Sequence, residues 1–207
     1  MIHYSSKQLT TKQNYKFLTG SIIPRPIAWI TTVNSETKII NAAPFSYFNV
    51  VAKNIPLISL SINRHPDGRM KDTAINLFNS KEGVVHLVND EVLNEMNATA
   101  ASLPPDIGEL TESSLTLVDS HTIQTPGIQE APVRMEATVH QYLEIKDHEK
   151  KTISDLFILE VHDYYFSEDI FDNENEYILP EKFSPIARLA GNSYSHIDNI
   201  VDIERPQ

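Results

Sequence analysis

The chain has 207 residues, 41% hydrophobic and 22% charged, with 17 Lys and Arg against 28 Asp and Glu for a formal net charge of -11. A globular chain of this length buries roughly 70% of the surface it exposes when unfolded, which excludes disorder as the main state and predicts one domain over residues 1–207, with a C-terminal tail from about residue 195. The acid excess argues against nucleic acid and acidic membrane surfaces as partners, and the absence of cysteine excludes disulfides, thiol nucleophiles, iron-sulfur clusters and thiolate zinc sites.

In chain order, Met1-Ile2-His3-Tyr4-Ser5 carries neither the basic nor the apolar region of a signal peptide. No apolar run of about 18 residues follows, and a cytoplasmic protein is expected. Strands are expected at Ile27 to Val33, Leu57 to Ile62, Val84 to Val88, Val133 to Ile145 and Leu156 to Tyr165, all β-branched or aromatic runs bounded by Gly, Pro, Asn or Asp. In the fourth, Val133, Met135, Ala137 and Val139 alternate with Arg134, Glu136, Thr138 and His140, the pattern of a half-buried antiparallel strand. Two helices are readable between them. One runs from about Thr73 to Asn79 with Asp72 or Thr73 as its cap, the other from about Glu91 to Ala101 with Asn89 or Asp90 as its cap and Pro104-Pro105 as its stop. Long strands with few short helices fit a mainly β fold, an antiparallel barrel with peripheral helices, better than a doubly wound parallel sheet.

Two stretches carry chemistry. Ser61-Ile62-Asn63-Arg64-His65-Pro66-Asp67-Gly68-Arg69-Met70-Lys71-Asp72-Thr73 leaves a strand, turns and enters a helix, and holds three of the 17 cationic side chains. An Arg fork, a Lys, hydroxyls and the free N–H groups of a helix start are what a phosphomonoester needs; a solvated basic turn balanced by Asp67 and Asp72 is the other reading. The spacing matches neither a Walker loop nor a Gly-x-Gly-x-x-Gly, and with six glycines a phosphate would be held mainly by side chains. Asn41-Ala42-Ala43-Pro44-Phe45-Ser46-Tyr47-Phe48-Asn49 offers small residues beside aromatics, either the wall for a flat heteroaromatic ring or a strand-to-turn segment with Phe45 and Phe48 in the core. Trp29, the single tryptophan, either packs near a ligand or fills a core. Arg25, between Pro24 and Pro26, has a fixed direction but no target that the sequence reveals. None of His86, His121, His140, His148, His162 and His196 falls in a metal-ligand pattern on a helix.

Taken together and in order, Ile23-Pro24-Arg25-Pro26-Ile27-Ala28-Trp29-Ile30, Ala42 to Phe48, Lys71-Asp72-Thr73 with Asn76, and Arg188-Leu189-Ala190-Gly191 with Tyr194 resemble the flavin reductase-like, FMN-binding split-barrel proteins, which include flavoredoxin. The resemblance implies a six-stranded antiparallel split barrel, a homodimer with FMN near the subunit interface, and NAD(P)H-dependent flavin reduction. It implies that Asn41, Ala43, Pro44, Phe45 and Ser46 face the isoalloxazine and ribityl chain, and that Ser61, Asn63, Arg64, Lys71, Asp72 and Thr73 surround the phosphate. Asp72 acts there as a cap or an orienter of Lys71, because like charges repel. Trp29, His86 and Arg188 are further candidates for cofactor neighbours, with a hydrogen-bonded core histidine as the other reading of His86 and pairing with nearby carboxylates as the other reading of Arg188. The chain departs from the family pattern at Ala190-Gly191, where two glycines are common, and at His86, where Asn is common.

The expected function is an FMN-dependent oxidoreductase taking electrons from NADH or NADPH and passing them to free flavin or a partner protein, with the chemistry on the cofactor and no acid-base pair required. The alternatives are a non-catalytic FMN electron-transfer protein without a nicotinamide site, a split barrel for another phosphorylated heteroaromatic such as pyridoxine phosphate, and an interaction domain with an empty site. The tail, with Asp198, Asp202 and Glu204, is amphipathic enough to pack on a partner subunit, a loose tail being the other reading.

Overall fold

Thr10 and Gln13 start the first helix with reciprocal bonds. The Thr10 hydroxyl accepts from the Gln13 N–H at 3.2 Å, and the Gln13 side chain accepts from the Thr10 N–H at 2.9 Å. The computed structural model describes all residues except 102, 105, 106, 112, 198 and 207, so Pro105 and Asp198 lie outside it. The helix, α1 (Thr11–Ser21), is followed by β1 (Ala28–Val33), β2 (Ile40–Phe45), β3 (Phe48–Ala52), β4 (Leu57–Asn63), α2 (Asp72–Ser80), β5 (Glu82–Leu87) and α3 (Leu93–Ala98). Next come the short pair β6 (Leu117–Val118) and β7 (Gly127–Ile128), then the long strands β8 (Val133–Lys146) and β9 (Thr152–Phe166). The chain ends with β10 (Phe171–Asp172), β11 (Tyr177–Ile178), α4 (Pro180–Phe183), β12 (Ile186–Arg188) and β13 (Tyr194–His196).

The main sheet is antiparallel, in the order β2-β1-β5-β8-β9-β4-β3. Its two outermost strands are consecutive in sequence, joined only by Ser46 and Tyr47. Laid flat, seven strands at about 4.8 Å spacing would separate those edges by about 29 Å, whereas the backbone from Phe45 to Phe48 reaches about 10 Å. The sheet therefore curls until its edges meet, and the Ser61 N–H donates to the Tyr47 carbonyl at 2.9 Å beside that join. This is the split barrel. Six strands become seven because the stretch from Ile40 to Ala52, one kinked strand on a coarser count, breaks at Ser46-Tyr47.

Ala28, Ile30, Leu60, Ile62, Leu77, Val85, Ala137, Phe157 and Leu159 fill the barrel. A second apolar cluster, Ile27, Trp29, Val88, Val92, Met96, Ile128 and Ile186, packs on the other face of β1 beneath α3. The alternation expected along β8 holds except at Glu136, which is buried. Its carboxylate accepts from the N–H groups of His121 and Thr122 and from the Tyr165 hydroxyl, so a loop folds over the outer face there. Burial would raise the Glu136 carboxyl, but those bonds overrule it and hold it below the usual range.

One cap differs from expectation, and the other is in its expected place but makes no side-chain bond. Lys71, not Asp72 or Thr73, precedes α2, and Asp72 lies in the first turn, where the helix dipole favours an acid. The second helix is shorter than expected, a 3₁₀ turn over Asp90–Val92 leading into Leu93–Ala98, and Asn89 sits at its start without a side-chain cap bond. No helix among the described residues is long and apolar enough to cross a membrane.

Candidate functional site

At the β2–β3 join the barrel opens into a cleft of about 1000 Å³, at the upper end of the range for small-molecule sites. One wall is β2, which contributes Asn41, Ala43, Pro44 and Phe45, continued by Ser46 just after it. A second is the β4–α2 bend, with Ser61, Asn63, His65, Arg69, Met70, Lys71, Asp72 and Thr73. The third combines Tyr15 and Thr19 of α1, Arg25, Arg188, Leu189 and Gly191, and the segment after α3 adds Ala101, Leu103 and Glu109.

The first two walls are tied together. The Thr73 hydroxyl donates to Asn41 Oδ1 at 2.7 Å, and Lys71 Nζ lies 5.9 Å from the centroid of the Phe45 ring. Asn41 is buried and turns its amide N–H toward Glu109 Oε1 at 2.7 Å, while Glu109 Oε2 accepts from the Ala42 N–H at 3.1 Å. Burial raises the Glu109 carboxyl above its ordinary value, with Asp72 adding repulsion. On the opposite side the Ser61 and Ser154 hydroxyls share a bond of 2.8 Å.

Lys71 is in no ion pair among the described residues, and it opens α2, whose first N–H groups have no partner within the helix. Arg69 also reaches the cleft, although it is mostly exposed and paired with Asp67 at 2.7 Å. A cation, a helix start, hydroxyls and an amide beside a small and aromatic wall make a donor set that fits a planar heteroaromatic carrying a phosphate. Among the described residues no cluster of three or more His, Cys, Asp and Glu could hold a metal ion.

Three expected site residues do not line the cleft. Arg64 turns away to the buried carboxylate of Asp155, donating from Nε at 3.0 Å and from Nη2 at 2.8 Å, and also reaches Glu144 and the Gly68 carbonyl. That bond to Asp155 pushes the Arg64 guanidinium up, so it is a committed cation. Tyr142 donates to the same carboxylate at 2.8 Å, and its phenol, desolvated and hydrogen-bonded to Asp155, is raised to about 12. Trp29 is fully buried and donates its indole N–H to the Thr99 hydroxyl at 2.9 Å. His86 is equally buried: Nδ1 donates to the Trp29 carbonyl and Nε2 accepts from the Ile128 N–H, each at 2.8 Å. Burial pushes its pKa down to about 3, so it is the neutral core histidine of the second reading.

Other lining residues carried no assignment from sequence. Arg25, aimed by its flanking prolines, donates to the carbonyls of Thr19, Ile22 and Leu189 and to the Ser46 hydroxyl. Glu109 lies 67 residues from its partner Ala42 and gave no local signal. At the C-terminal turn, Gly191 takes a φ of +60° and Ala190 keeps negative φ, so one glycine meets the turn's need for the left-handed region.

Residues 19–184 match the model of the flavin reductase like domain. The chain is 42% identical over 206 residues to an uncharacterised protein of Bacillus subtilis (strain 168), YwrF, covering 100% of both chains. The crystal structure of nitrilotriacetate monooxygenase component B from Bacillus cereus is similar with a TM-score of 0.93 and 38% identity, over 98% of each chain. That of Pseudomonas fluorescens 2-nitrobenzoate 2-nitroreductase NbaA is similar with a TM-score of 0.88 and 29% identity, over 99% of this chain and 96% of that one.

Proposed function

This chain belongs to the flavin reductase like family, and from that premise we propose that it is an FMN-dependent oxidoreductase, oxidising NADH or NADPH and passing the electrons to free flavin or to a partner protein. A bound flavin would supply the redox chemistry, hydride and electron transfer. The chain's residues bind and orient. Lys71 and the first N–H groups of α2 hold the phosphate, with Thr73, Ser61 and Asn63 around it and Arg69 at the mouth. Ala43, Pro44 and Phe45 lie along the ring, and the small Ala43 lets the backbone approach it. Asn41, oriented by Thr73 and Glu109, fixes the polar side of the wall.

The observation that carries this reading is the 2.7 Å bond from Thr73 to Asn41, which joins the cationic bend and the ring wall into one cleft. Likeness to a monooxygenase component supports a partner protein as acceptor, and likeness to a nitroreductase supports a small aromatic acceptor. The exposed apolar side chains of Tyr15, Phe17, Leu18 and Ile22 near α1 and of Val50, Val51 and Ile55 around β3 support burial against a second copy as a homodimer.

A visible spectrum of the purified protein, recorded with stoichiometric FMN before and after anaerobic NADH or NADPH, tests the reading. A shifted, protein-bound flavin spectrum that bleaches with either nucleotide is expected. Absence of FMN binding would overturn the reading, and bound FMN that only dithionite bleaches would make the chain an electron-transfer protein without a nicotinamide site.

A further inference from the structure

Arg25 and Arg188 face one another across an isolated antiparallel bridge. The Arg25 N–H donates to the Arg188 carbonyl at 3.1 Å, and the Arg188 N–H donates to the Arg25 carbonyl at 2.9 Å. Both residues line the cleft. Arg25 is 8% exposed, yet its guanidinium meets only neutral acceptors: the carbonyls of Thr19, Ile22 and Leu189 at 2.7, 2.8 and 2.8 Å, and the Ser46 hydroxyl at 3.3 Å. These use four of its five N–H donors. Arg188 is half-buried, stacks over the Tyr194 ring at 4.4 Å and donates to the Gly191 carbonyl. Among the described residues, neither guanidinium has a carboxylate within 4.0 Å.

Like charges opposite one another on a ladder repel, and a buried cation without a counter-charge is held at a cost in free energy. In a chain of net charge -11 this is an unexpected place for two arginines to face each other unpaired. The cleft already has a separate cationic wall in the β4–α2 bend, with Lys71 and Arg69. FMN carries one phosphate, so one of the two cationic groupings is left over.

We infer that the Arg25–Arg188 bridge is an anion subsite for the second substrate, taking the carboxylate or phosphate oxygens of the molecule that exchanges electrons with the flavin. This rests on the flavin reading above. Tyr15 and Tyr47 also line the cleft and supply flat apolar surface for the uncharged part of such a molecule. The subsite selects anions over their uncharged counterparts, which the flavin's own phosphate site cannot do once it is filled.

The test uses flavin-loaded protein and two probe pairs that differ in charge, benzoate against benzamide by perturbation of the flavin spectrum, and NADH against reduced nicotinamide riboside by KM. The wild type is expected to favour the anionic member of at least one pair tenfold or more. Arg188→Gln should bring that pair to within threefold while the FMN dissociation constant stays within threefold of wild type. Preference in the benzoate pair assigns the subsite to the carboxylate of a small acceptor, and preference in the NADH pair assigns it to a dinucleotide pyrophosphate. Equal treatment of charged and uncharged probes in both pairs would overturn the subsite, as would a preference that survives Arg188→Gln. Loss of FMN binding in that variant would also overturn it, by returning the arginines to the flavin's own site. Arg188→Gln carries the test because Arg25 also knits α1 to the C-terminal turn. A wild-type chain that holds no flavin overturns the functional reading itself, which the spectrum reports before any probe is added.

Discussion

Arg64 and Asp155 form a two-point ion pair on the inner side of the β4–α2 bend, with Nε 3.0 Å and Nη2 2.8 Å from a carboxylate that has no exposed surface. Arg64 also donates to the Gly68 carbonyl, so it holds the bend in shape from behind, and Lys71 and Arg69 present their charges from a fixed loop.

Removing Arg64 strands a buried carboxylate, which costs about 3 kcal/mol or more when a pair is broken from one side. Arg64→Ala should therefore lower unfolding free energy in urea by about 3 kcal/mol. A variant with wild-type stability and greatly weakened FMN binding would instead make Arg64 a phosphate ligand.

Lys71→Ala should raise the FMN dissociation constant roughly ten- to hundredfold, the loss of one charge-assisted bond worth about 1.5 to 3 kcal/mol. Riboflavin lacks the phosphate, so its affinity should change little. Fluorescence titration with both flavins gives the comparison, and equal losses for the two would remove Lys71 from the phosphate.

His86 sets a pH dependence whose sign follows from its burial. Its folded pKa is depressed to about 3 from an ordinary 6.5, so the unfolded chain takes up the proton first as pH falls. Stability from the neutral ring is complete above 6.5 and declines below it by about 1.4 kcal/mol per pH unit until the folded pKa is reached. Urea unfolding at pH 7 and pH 5 should differ by about 2 kcal/mol through this group. Replacement His86→Gln should flatten that slope, and an unchanged slope would contradict the assignment.

Gly108 packs so tightly on β2 that an added Cβ would lie 2.7 Å from the Ile40 carbonyl oxygen. Gly108→Ala should push the neighbouring Glu109 off Asn41 and Ala42, destabilise the protein by about 1 to 3 kcal/mol, and weaken FMN binding as well. Wild-type melting temperature and FMN affinity in this variant would show that the segment can shift freely.

Five of the seven main-sheet strands, β1, β4, β5, β8 and β9, are legible in the sequence because their β-branched runs and alternation are local signals. Helix α1 is not, because its apolar residues Tyr15, Phe17 and Leu18 point outward and only Thr19 is buried, so no inward stripe marks it. The strands β2 and β3 are masked by Pro44 and by the break at Ser46-Tyr47. For the site, the two stretches that carry chemistry are readable, but the partition of their cations is not. Arg64 and Arg69 look interchangeable until Asp155, 91 residues beyond Arg64, selects one of them. Glu109 acts through Asn41 and Ala42, 68 and 67 residues before it, and Arg25 reaches Leu189, 164 residues beyond it, besides its near neighbours Thr19 and Ile22.

The break at Ser46-Tyr47 does two jobs at once, since the residues that let the sheet meet itself also floor the cleft. A bound molecule would then behave as a rivet across a seam. Loosening of that seam would release the guest and unzip the cylinder in one cooperative event.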